Sequence, residues 1–181
     1  MGAERSTEPA PDRDLGPEPD QESVARKILL DQLTGRARTR AELAKKLAQK
    51  NVPDDVAEPL LNRFEEVGLI DDAAFARDWI QQRQTGRGLA RRALAQELRR
   101  KGVDAEVMGE ALGDVDDDDE VGAAREQVRR KLRSVQTLDR EKAVRRLVGM
   151  LARKGHSSAV AYRVVREELD VDLADPEHIT P

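Results

Sequence analysis

Pairs of leucines four residues apart recur three times along the chain, each time shortly before a turn. The pairs are Leu43 and Leu47, Leu94 and Leu98, and Leu147 and Leu151. Residues i and i+4 share one face of an α-helix, so each pair predicts a helix with one buried stripe. Each pair is followed by a lysine and then by Asn51, Gly102 or Gly155. Glycine and asparagine tolerate the left-handed backbone that commonly ends a helix, so a turn is predicted there.

The three copies stay similar on both sides of this turn. Val56, Val107 and Val160 each lie six positions after the lysine, on the helix that follows the turn. Before each leucine pair, a further apolar stripe predicts another helix, over residues 22–34, 72–85 and 118–135. No segment alternates like a strand for more than a few residues. The pattern predicts an all-α fold of three tandem three-helix units, helix-turn-helix-like, in an elongated arrangement.

These elements divide the chain into three repeats and two tails. The repeats are expected over residues 22–70, 71–115 and 116–170. Residues 1–21 are acidic and proline-rich and are predicted to be a disordered tail, while residues 171–181 are expected to fray. Proline is unfavourable inside a helix, so Pro59 predicts a short turn at 53–57 and a regular helix only from about Pro59 to Val67.

The composition suits several small cores better than one large one. Aromatic residues make up only 2% of the 181 residues, and charged residues make up 38%. The absence of cysteine excludes disulfides, thiolate catalysis and cysteine-ligated metals. No apolar run approaches the roughly 20 residues that cross a bilayer, and the acidic N-terminus is unlike a secretory signal. We therefore expect a cytoplasmic protein with no membrane partner.

Nothing in the chain has the pattern of a catalytic or metal site. His156 stands where the other copies have valine, which favours a core or surface role. A calcium loop beginning at Asp114 would need glycine at its sixth place and glutamate at its twelfth, but Asp119 and Arg125 stand there. The acids at 116–120 are expected in the first turn of the next helix, where the helix dipole favours them. The sequence predicts no enzyme and no cofactor.

The distribution of charge favours binding to another macromolecule. The helix after each turn is acidic or neutral, which argues against its insertion into the major groove of DNA. The bases lie mainly on the helix before the turn, where they could form a solvated surface or a contact with a polyanion or an acidic protein. The predicted contact residues are Arg87, Arg91, Arg92, Arg99, Arg100, Lys101, Arg145, Arg146, Arg153 and Lys154.

Four segments resemble the RecX family of regulatory proteins. The most specific lie in the second unit: GLIDDAAFARDW at residues 68–79 and GLARRALAQELRRKGV at residues 88–103. Upstream, RTRAEL at residues 38–43 is similar to the motif of the family's first unit, with threonine where serine is common. Downstream, LARKGH at residues 151–156 is similar to its third-unit motif, with histidine where an aromatic or aliphatic residue is usual. The resemblance covers roughly residues 22–169.

This resemblance implies a non-enzymatic modulator, mainly an inhibitor, of the RecA recombinase in DNA repair, homologous recombination and the SOS response. RecX proteins bind RecA, free or as a filament on single-stranded DNA, and limit filament growth, ATP hydrolysis and strand exchange. We also expect a monomer. Two alternatives remain open: a direct, nonspecific DNA-binding protein that uses the same bases, and a helical adaptor for another partner.

Within the resembling segments, most of the distinctive residues are expected to be structural. The aromatic and leucine side chains should form the core of the second unit, and one of two aspartates should cap its first helix. The residues with this expected role are Asp71, Asp72, Phe75, Trp79, Leu94, Leu98 and Gly102.

Overall fold

The computed structural model describes residues 20–174, with side chains described for residues 20–170. This part of the chain contains nine α-helices and one short 3₁₀ turn at Leu132–Ser134, and it contains no strand. The helices are α1 Gln21–Leu33, α2 Arg40–Gln49, α3 Asp54–Glu66, α4 Asp72–Arg87, α5 Arg91–Arg100, α6 Ala105–Gly113, α7 Asp117–Arg129, α8 Arg140–Arg153 and α9 Ser158–Ala174. The predicted all-α fold is confirmed.

Three consecutive helices form each unit around a core of its own. Unit 1 comprises α1–α3, unit 2 comprises α4–α6 and unit 3 comprises α7–α9. The leucine pairs of α2, α5 and α8 are buried at the centres of these three cores. Small separate cores of this kind need few aromatic residues, which accounts for the low aromatic content.

The predicted turns end the second helix of each unit. Asn51, Gly102 and Gly155 all have positive φ, at 57°, 76° and 89°. Aspartate side chains accept a hydrogen bond from a backbone N–H at the start of most helices. Asp116 caps α7, and the acids that follow it occupy the first turn of that helix, as predicted.

The prediction of a late start for α3 was wrong. This helix is continuous from Asp54 and includes Pro59. Pro59 is only the sixth helical residue, so the missing N–H deprives a single carbonyl, that of Asp55, of its partner. Asp55 is exposed, so water can solvate that carbonyl and the cost of the proline is small.

The first helix of unit 3 is shorter than its apolar pattern predicted. It ends at Arg129, and the chain continues through i→i−3 turns rather than as a helix to residue 135. Lys131, Ser134 and Val135 donate such hydrogen bonds. The tighter winding brings Val135 into the core of unit 3, where it is buried.

The expectations for the two tails fall mostly on residues outside the described part. Residues 1–19 and 175–181 are not described. Asp20 caps α1 with its side chain, and α1 begins at Gln21. At the other end, α9 continues to Ala174.

Candidate functional site

A basic groove lies where unit 1 meets unit 2. Its volume is about 500 Å³, and helices α2 and α5 supply most of its walls. The residues lining this unit 1–2 groove are Gln32, Arg38, Ala41, Glu42, Lys45, Lys46, Gln49, Arg99, Arg100, Lys101 and Gly102. Six of these eleven side chains are basic and one is acidic, so the groove is suited to an anionic partner.

The groove exists because the turn of unit 2 packs directly on the start of α2. A Cβ atom added to Gly102 would lie 2.4 Å from the Cβ of Ala41, so only glycine fits at this contact. The buried Thr39, which is the N-cap of α2, donates its hydroxyl to the carbonyl oxygen of Lys101 at 2.7 Å. It also accepts from the N–H of Glu42 at 3.2 Å. One threonine thus caps a helix and joins two units.

The single acid of the groove is already neutralised. The Lys101 ammonium lies 2.7 Å from Glu42 Oε1, and both side chains are about three-quarters buried. Partial burial raises the pKa of Glu42, but the hydrogen bond and charge of Lys101 outweigh it, so this pKa lies below its ordinary value. Glu42 is therefore ionised at neutral pH and leaves the remaining bases of the groove uncompensated.

Trp79 connects this pair to the core of unit 2. Two cations lie over its indole ring: the Arg83 guanidinium 4.1 Å from the ring centroid and the Lys101 ammonium 4.9 Å from it. The indole N–H donates to Glu97 at 2.9 Å, and Arg83 donates to the same carboxylate oxygen at 2.9 Å. Each of these side chains is held by at least one other, so the wall of the groove at Lys101 is preorganised.

The other bases of the groove have no such neutralising partner among the described residues. In the part of the chain that the structure describes, no carboxylate lies within 4 Å of Lys45, Lys46, Arg99 or Arg100. Three of them are exposed, and Lys46 is half-buried. Strongly positive, solvent-accessible side chains on the two walls of one cleft attract carboxylates or phosphates.

The junction between units 2 and 3 repeats this construction. A Cβ atom added to Gly155 would lie 2.8 Å from Ala93, and the N–H of Ala90 donates to the Lys154 carbonyl oxygen at 3.0 Å. Ala90 is equivalent to Thr39, and Lys154 is equivalent to Lys101. The Lys154 ammonium donates to the carbonyl oxygen of Arg87 in unit 2.

The environment of Lys154 is more positive than that of Lys101. Burial lowers the pKa of Lys154, and the nearby charges of Arg87, Arg130 and Lys131 lower it further. Four basic side chains, Arg87, Arg130, Lys131 and Lys154, therefore lie close together at this junction. In this respect the unit 2–3 junction resembles the unit 1–2 groove.

His156 is buried inside the unit 2–3 junction. Its Nε2 atom lies 3.0 Å from the carbonyl oxygen of Gly88, to which the Nε2–H donates. Its Nδ1 atom is 3.8 Å from Glu120 and has no hydrogen-bond partner among the described residues. Burial lowers the pKa of His156 more than Gly88 and Glu120 raise it, so the ring is neutral at neutral pH. His156 is a packing residue that joins two units.

The ten predicted contact residues do not form one surface. Arg99, Arg100 and Lys101 line the unit 1–2 groove, whereas Arg87 and Lys154 meet at the unit 2–3 junction. Arg146 and Arg153 line a separate cavity of about 250 Å³ within unit 3. Arg92 and Arg145 are exposed on α5 and α8.

Besides Lys101 and Lys154, two more of these ten residues, Arg87 and Arg91, make polar contacts within the chain. Arg91 donates to the carbonyl oxygen of Val115, and its backbone N–H donates to Glu120 at 3.2 Å. Arg87 lies 3.2 Å from Glu97. Both side chains are partly exposed, but each also connects its own helix to a neighbouring segment of the chain.

Most of the residues expected to be structural lie in the interior or at a cap. Asp71 caps α4 by accepting from the N–H of Ala74 at 2.7 Å. Asp72, the next residue, instead accepts from the backbone N–H of Arg40 in unit 1 at 2.8 Å. Burial raises the pKa of Asp72 even though this hydrogen bond opposes the shift. Phe75, Leu94 and Leu98 are buried in the core of unit 2.

The predicted contact set omitted Arg38, Lys45 and Lys46, which line the groove from unit 1. Their chain positions gave no sign that they face α5, because the two walls of the groove are about 55 residues apart in sequence. The repeat itself held a usable signal. The turn carries asparagine in the first copy, at Asn51, but glycine in the next two. Glycine marks the two turns that have a helix of the preceding unit packed against them.

Metal ligation and membrane insertion find no support in the described residues. Across residues 20–174, no three histidine, cysteine, aspartate or glutamate side chains are grouped so that they could hold a metal ion. Over the same part of the chain, no helix is both long enough and apolar enough to cross a membrane.

The fold and the groove define a class: tandem three-helix repeat proteins whose unit junctions carry basic side chains. Models of the three-helix domains of RecX match this chain in order, the first domain at residues 25–64, the second at 71–112 and the third at 117–165. The chain belongs to the RecX family of regulatory proteins.

Individual relatives cover most of the chain. Regulatory protein RecX of Streptomyces coelicolor is 52% identical over 164 residues, which cover 90% of this chain and 87% of that protein. Regulatory protein RecX of Thermobifida fusca is 49% identical over 158 residues, which cover 84% of this chain and 85% of that protein.

Two crystal structures share the fold. RecX from Lactobacillus salivarius superposes with a TM-score of 0.75 at 20% identity, covering 83% of this chain and 97% of that one. Another regulatory protein RecX gives a TM-score of 0.71 at 25% identity, covering 82% of this chain and 72% of that one.

Proposed function

We propose that this protein binds the RecA recombinase, free and as filaments on single-stranded DNA, and inhibits its ATP hydrolysis, filament growth and strand exchange. Membership of the RecX family supports a regulatory role, and the unit 1–2 groove is the observation that carries the proposed site. Six basic side chains there face one carboxylate that is already paired. We assign the main contact to this groove, with Arg92, Arg145, Arg146 and Arg153 as additional contacts.

The groove can act without chemistry of its own. A partner that places carboxylates or phosphates between α2 and α5 would pair with Lys45, Arg99 and Arg100 on two walls at once. Because each wall belongs to a different unit, the partner would be held by two rigid bodies joined at a preorganised junction. A contact of this kind resists the movements that a working filament needs.

The test measures ATP hydrolysis by the cognate RecA on single-stranded DNA while this protein is added. We expect inhibition well below one protein per RecA protomer, at a salt concentration where the protein does not hold bare DNA. The groove variant, Lys45→Glu/Arg99→Glu/Arg100→Glu, should inhibit at least about tenfold more weakly, because three favourable contacts become repulsive. Its helical circular dichroism should remain unchanged.

The matched control reverses three other exposed bases, Arg133, Arg163 and Arg166, to glutamate. In the described chain no carboxylate lies within 4 Å of them, and none of them lines the groove. This control variant changes the net charge by the same amount and should still inhibit. Equal loss of inhibition in both variants would show that net charge, not the groove, is responsible.

The second candidate is direct, nonspecific DNA binding, and the same groove favours it. That function predicts an affinity for bare DNA that falls steeply with salt. The slope of log affinity against log salt concentration should become shallower by about 0.7 to 0.9 for each phosphate contact removed. Inhibition of RecA that begins only when the DNA is coated would support this candidate. No effect on RecA and no DNA binding would leave a helical adaptor for another partner.

A further inference from the structure

The cavity within unit 3 is lined by three bases and one hydroxyl. It has a volume of about 250 Å³ and lies between helix α8 and the turn that follows α7. Its lining residues are Lys131, Ser134, Val135, Arg146, Leu147, Met150 and Arg153. Across residues 20–170, no carboxylate lies within 4 Å of the three basic side chains. The unit 3 cavity therefore carries a positive charge that no described side chain compensates.

Ser134 is an exposed residue of this lining. It ends the 3₁₀ turn Leu132–Ser134, and its hydroxyl donates to the carbonyl oxygen of Lys131 at 2.7 Å. Val135, the next residue, is buried, so an enzyme reaches the serine only when this turn opens locally. The segment between α7 and α8 is held by i→i−3 hydrogen bonds, whose geometry is poorer than that of an α-helix. Local opening of such a segment costs less free energy than unfolding of a helix.

The sequence before Ser134 is strongly basic. Residues 129–133 read RRKLR, so four of the five positions on the N-terminal side of the serine carry a base. Serine/threonine protein kinases with an acidic substrate groove select serines with such a flank, because opposite charges attract the two surfaces. The same hydroxyl thus combines a flank suited to phosphorylation with a cavity suited to the product.

We propose that Ser134 is a phosphorylation site and that the unit 3 cavity binds its phosphate. The co-reactants are ATP and a serine/threonine kinase that prefers basic substrates. The Ser134 oxygen attacks the γ-phosphorus of ATP, so the Oγ–P bond forms and the bond from that phosphorus to the β,γ-bridging oxygen breaks. ADP leaves, and the hydroxyl proton passes to the catalytic base of the kinase.

The product complements the cavity in charge and in hydrogen bonding. Phosphoserine carries a charge of about −1.5 to −2 at neutral pH and three acceptor oxygens. Lys131, Arg146 and Arg153 supply cationic donors around the same cavity, and an arginine can bind two phosphate oxygens at once. The phosphate joins the turn after α7 to helix α8.

Phosphorylation engages two of the bases proposed above as contacts with RecA. Arg146 and Arg153 pair with the phosphate, so they no longer offer free charge to a partner. The unit 1–2 groove lies in other units and is not altered. The modification therefore weakens inhibition without abolishing it. This consequence rests on the proposed function, whereas the modification and the binding of its phosphate do not.

The first test asks whether the modification occurs. The full chain is purified with phosphatase inhibitors from the cells that naturally produce it, before and after DNA damage, and is digested with trypsin. The diagnostic peptide is SVQTLDR, residues 134–140. Fragmentation distinguishes a phosphate on Ser134, which we expect, from one on Thr137. No phosphate on this peptide in either condition, or a phosphate on Thr137 alone, would overturn the proposal.

Phosphoserine placed at position 134 of the full chain by genetic encoding tests the binding of the phosphate. Phosphorus NMR follows its second ionisation, which has an ordinary pKa of about 6. We expect the phosphate pKa in the folded chain to lie about 0.5 to 1 below its value in the same chain unfolded by urea, because the three cations favour the dianion. Equal pKa values in the folded and unfolded chains would show that the cavity does not bind the phosphate.

Paired substitutions separate the cavity from general charge. In the phosphorylated chain, Arg146→Gln/Arg153→Gln should return the phosphate pKa most of the way to its unfolded value. The control Arg163→Gln/Arg166→Gln removes the same charge from two exposed residues of α9 that do not line the cavity. It should leave the phosphate pKa low. Equal effects of the two pairs would overturn the assignment of the cavity.

The midpoint of RecA ATPase inhibition tests the consequence for function. Phosphoserine at position 134 should raise this midpoint about three- to fivefold, the effect of losing two exposed ionic contacts. The control carries phosphoserine at the exposed Ser23 on α1, which lines neither the groove nor the cavity, and should inhibit like the unmodified chain. Equal inhibition by the chain phosphorylated at Ser134 and the unmodified chain would overturn the regulatory effect. If the unmodified chain does not inhibit RecA, the proposed function fails, while the peptide and NMR results still decide the modification site.

Discussion

Gly68 and Gly102 have nearly the same backbone conformation but different surroundings. Their φ angles are 73° and 76°, yet only Gly102 has a neighbour, with Ala41 Cβ 2.4 Å from where its own Cβ would lie. Alanine at either position costs about 1 to 2 kcal/mol of left-handed strain. We expect Gly102→Ala to lower the free energy of unfolding by a further 1 to 3 kcal/mol, roughly the cost of overpacking. Urea denaturation of both variants measures this difference, and equal losses would contradict the close contact between units.

His156 should make stability depend on pH. Burial, together with the charge of Lys154, lowers its pKa below the ordinary value, whereas Gly88 and Glu120 oppose the shift. The unfolded state therefore binds the proton more readily. The stability contributed by the neutral ring is fully present above the unfolded pKa and is lost as pH falls from there through the folded pKa.

When the pH is lowered from 7 to 5, we expect the His156→Gln variant to lose less stability than the unmodified chain. Glutamine can still donate to the carbonyl oxygen of Gly88 but does not titrate. Thermal unfolding at several pH values, followed by circular dichroism, makes the comparison. Parallel pH profiles for the two proteins would assign the acid sensitivity to other groups.

At the scale of the element, the N-caps of α2 and α8 show how a helix start can also join units. Thr39 caps α2 and bonds to Lys101 in the next unit, whereas the exposed Asp139 caps α8 by accepting from Lys142 alone, through its backbone and its ammonium. Removal of either cap costs about 1 kcal/mol. Thr39→Ala should cost roughly 1 kcal/mol more than Asp139→Ala, because the partly buried carbonyl of Lys101 loses its hydrogen bond. Urea denaturation compares the two, and equal losses would contradict a role for Thr39 at the junction.

The elements themselves were largely predictable because they depend on local periodicity. The leucine pairs and the residues with positive φ identified α2, α5 and α8 and the turns that end them. Where prediction failed, the reason was also local. Pro59 fell early enough in α3 to be tolerated, and the chain after Arg129 tightened into i→i−3 turns to bury Val135.

The groove was not predictable in the same way, because it depends on contacts between units. Lys101 has the sequence pattern of an exposed base, but it packs against Glu42 from 59 residues earlier. Arg91 likewise makes hydrogen bonds to Val115 in unit 2 and to Glu120 in unit 3. Charge patterning identifies the helices that carry bases, but the packing of one unit on the next decides which bases share a cleft.

At the scale of the whole molecule, the two junctions have the same packing geometry but different hydrogen-bond donors. In both, a left-handed glycine packs on the second helix of the preceding unit, and the carbonyl beside it accepts a hydrogen bond from that helix's N-cap residue. The donor is a side-chain hydroxyl at the first junction and a backbone N–H at the second. Repetition of this contact fixes each unit on its predecessor, so the walls of the groove keep a defined separation.

This arrangement raises the question of whether the proposed inhibition of RecA depends on the charge of the groove or on its geometry. Two substitutions separate these possibilities, since each makes the groove more positive by one charge. Gln49→Lys adds a base to the lining without touching the junction. Glu42→Ala removes the carboxylate but also removes the partner of Lys101 and a hydrogen bond to the N–H of Thr39.

We expect the two variants to change RecA inhibition in opposite directions. Gln49→Lys should strengthen it about twofold, the effect of one exposed ionic contact of roughly 0.5 kcal/mol. Glu42→Ala should weaken it, because a groove whose walls can shift must lose conformational entropy when it binds. The midpoints of ATPase inhibition measure both effects, with circular dichroism as the control for folding. If Glu42→Ala inhibited as strongly as Gln49→Lys, charge alone would explain the binding, and the junctions would serve only to hold the fold together.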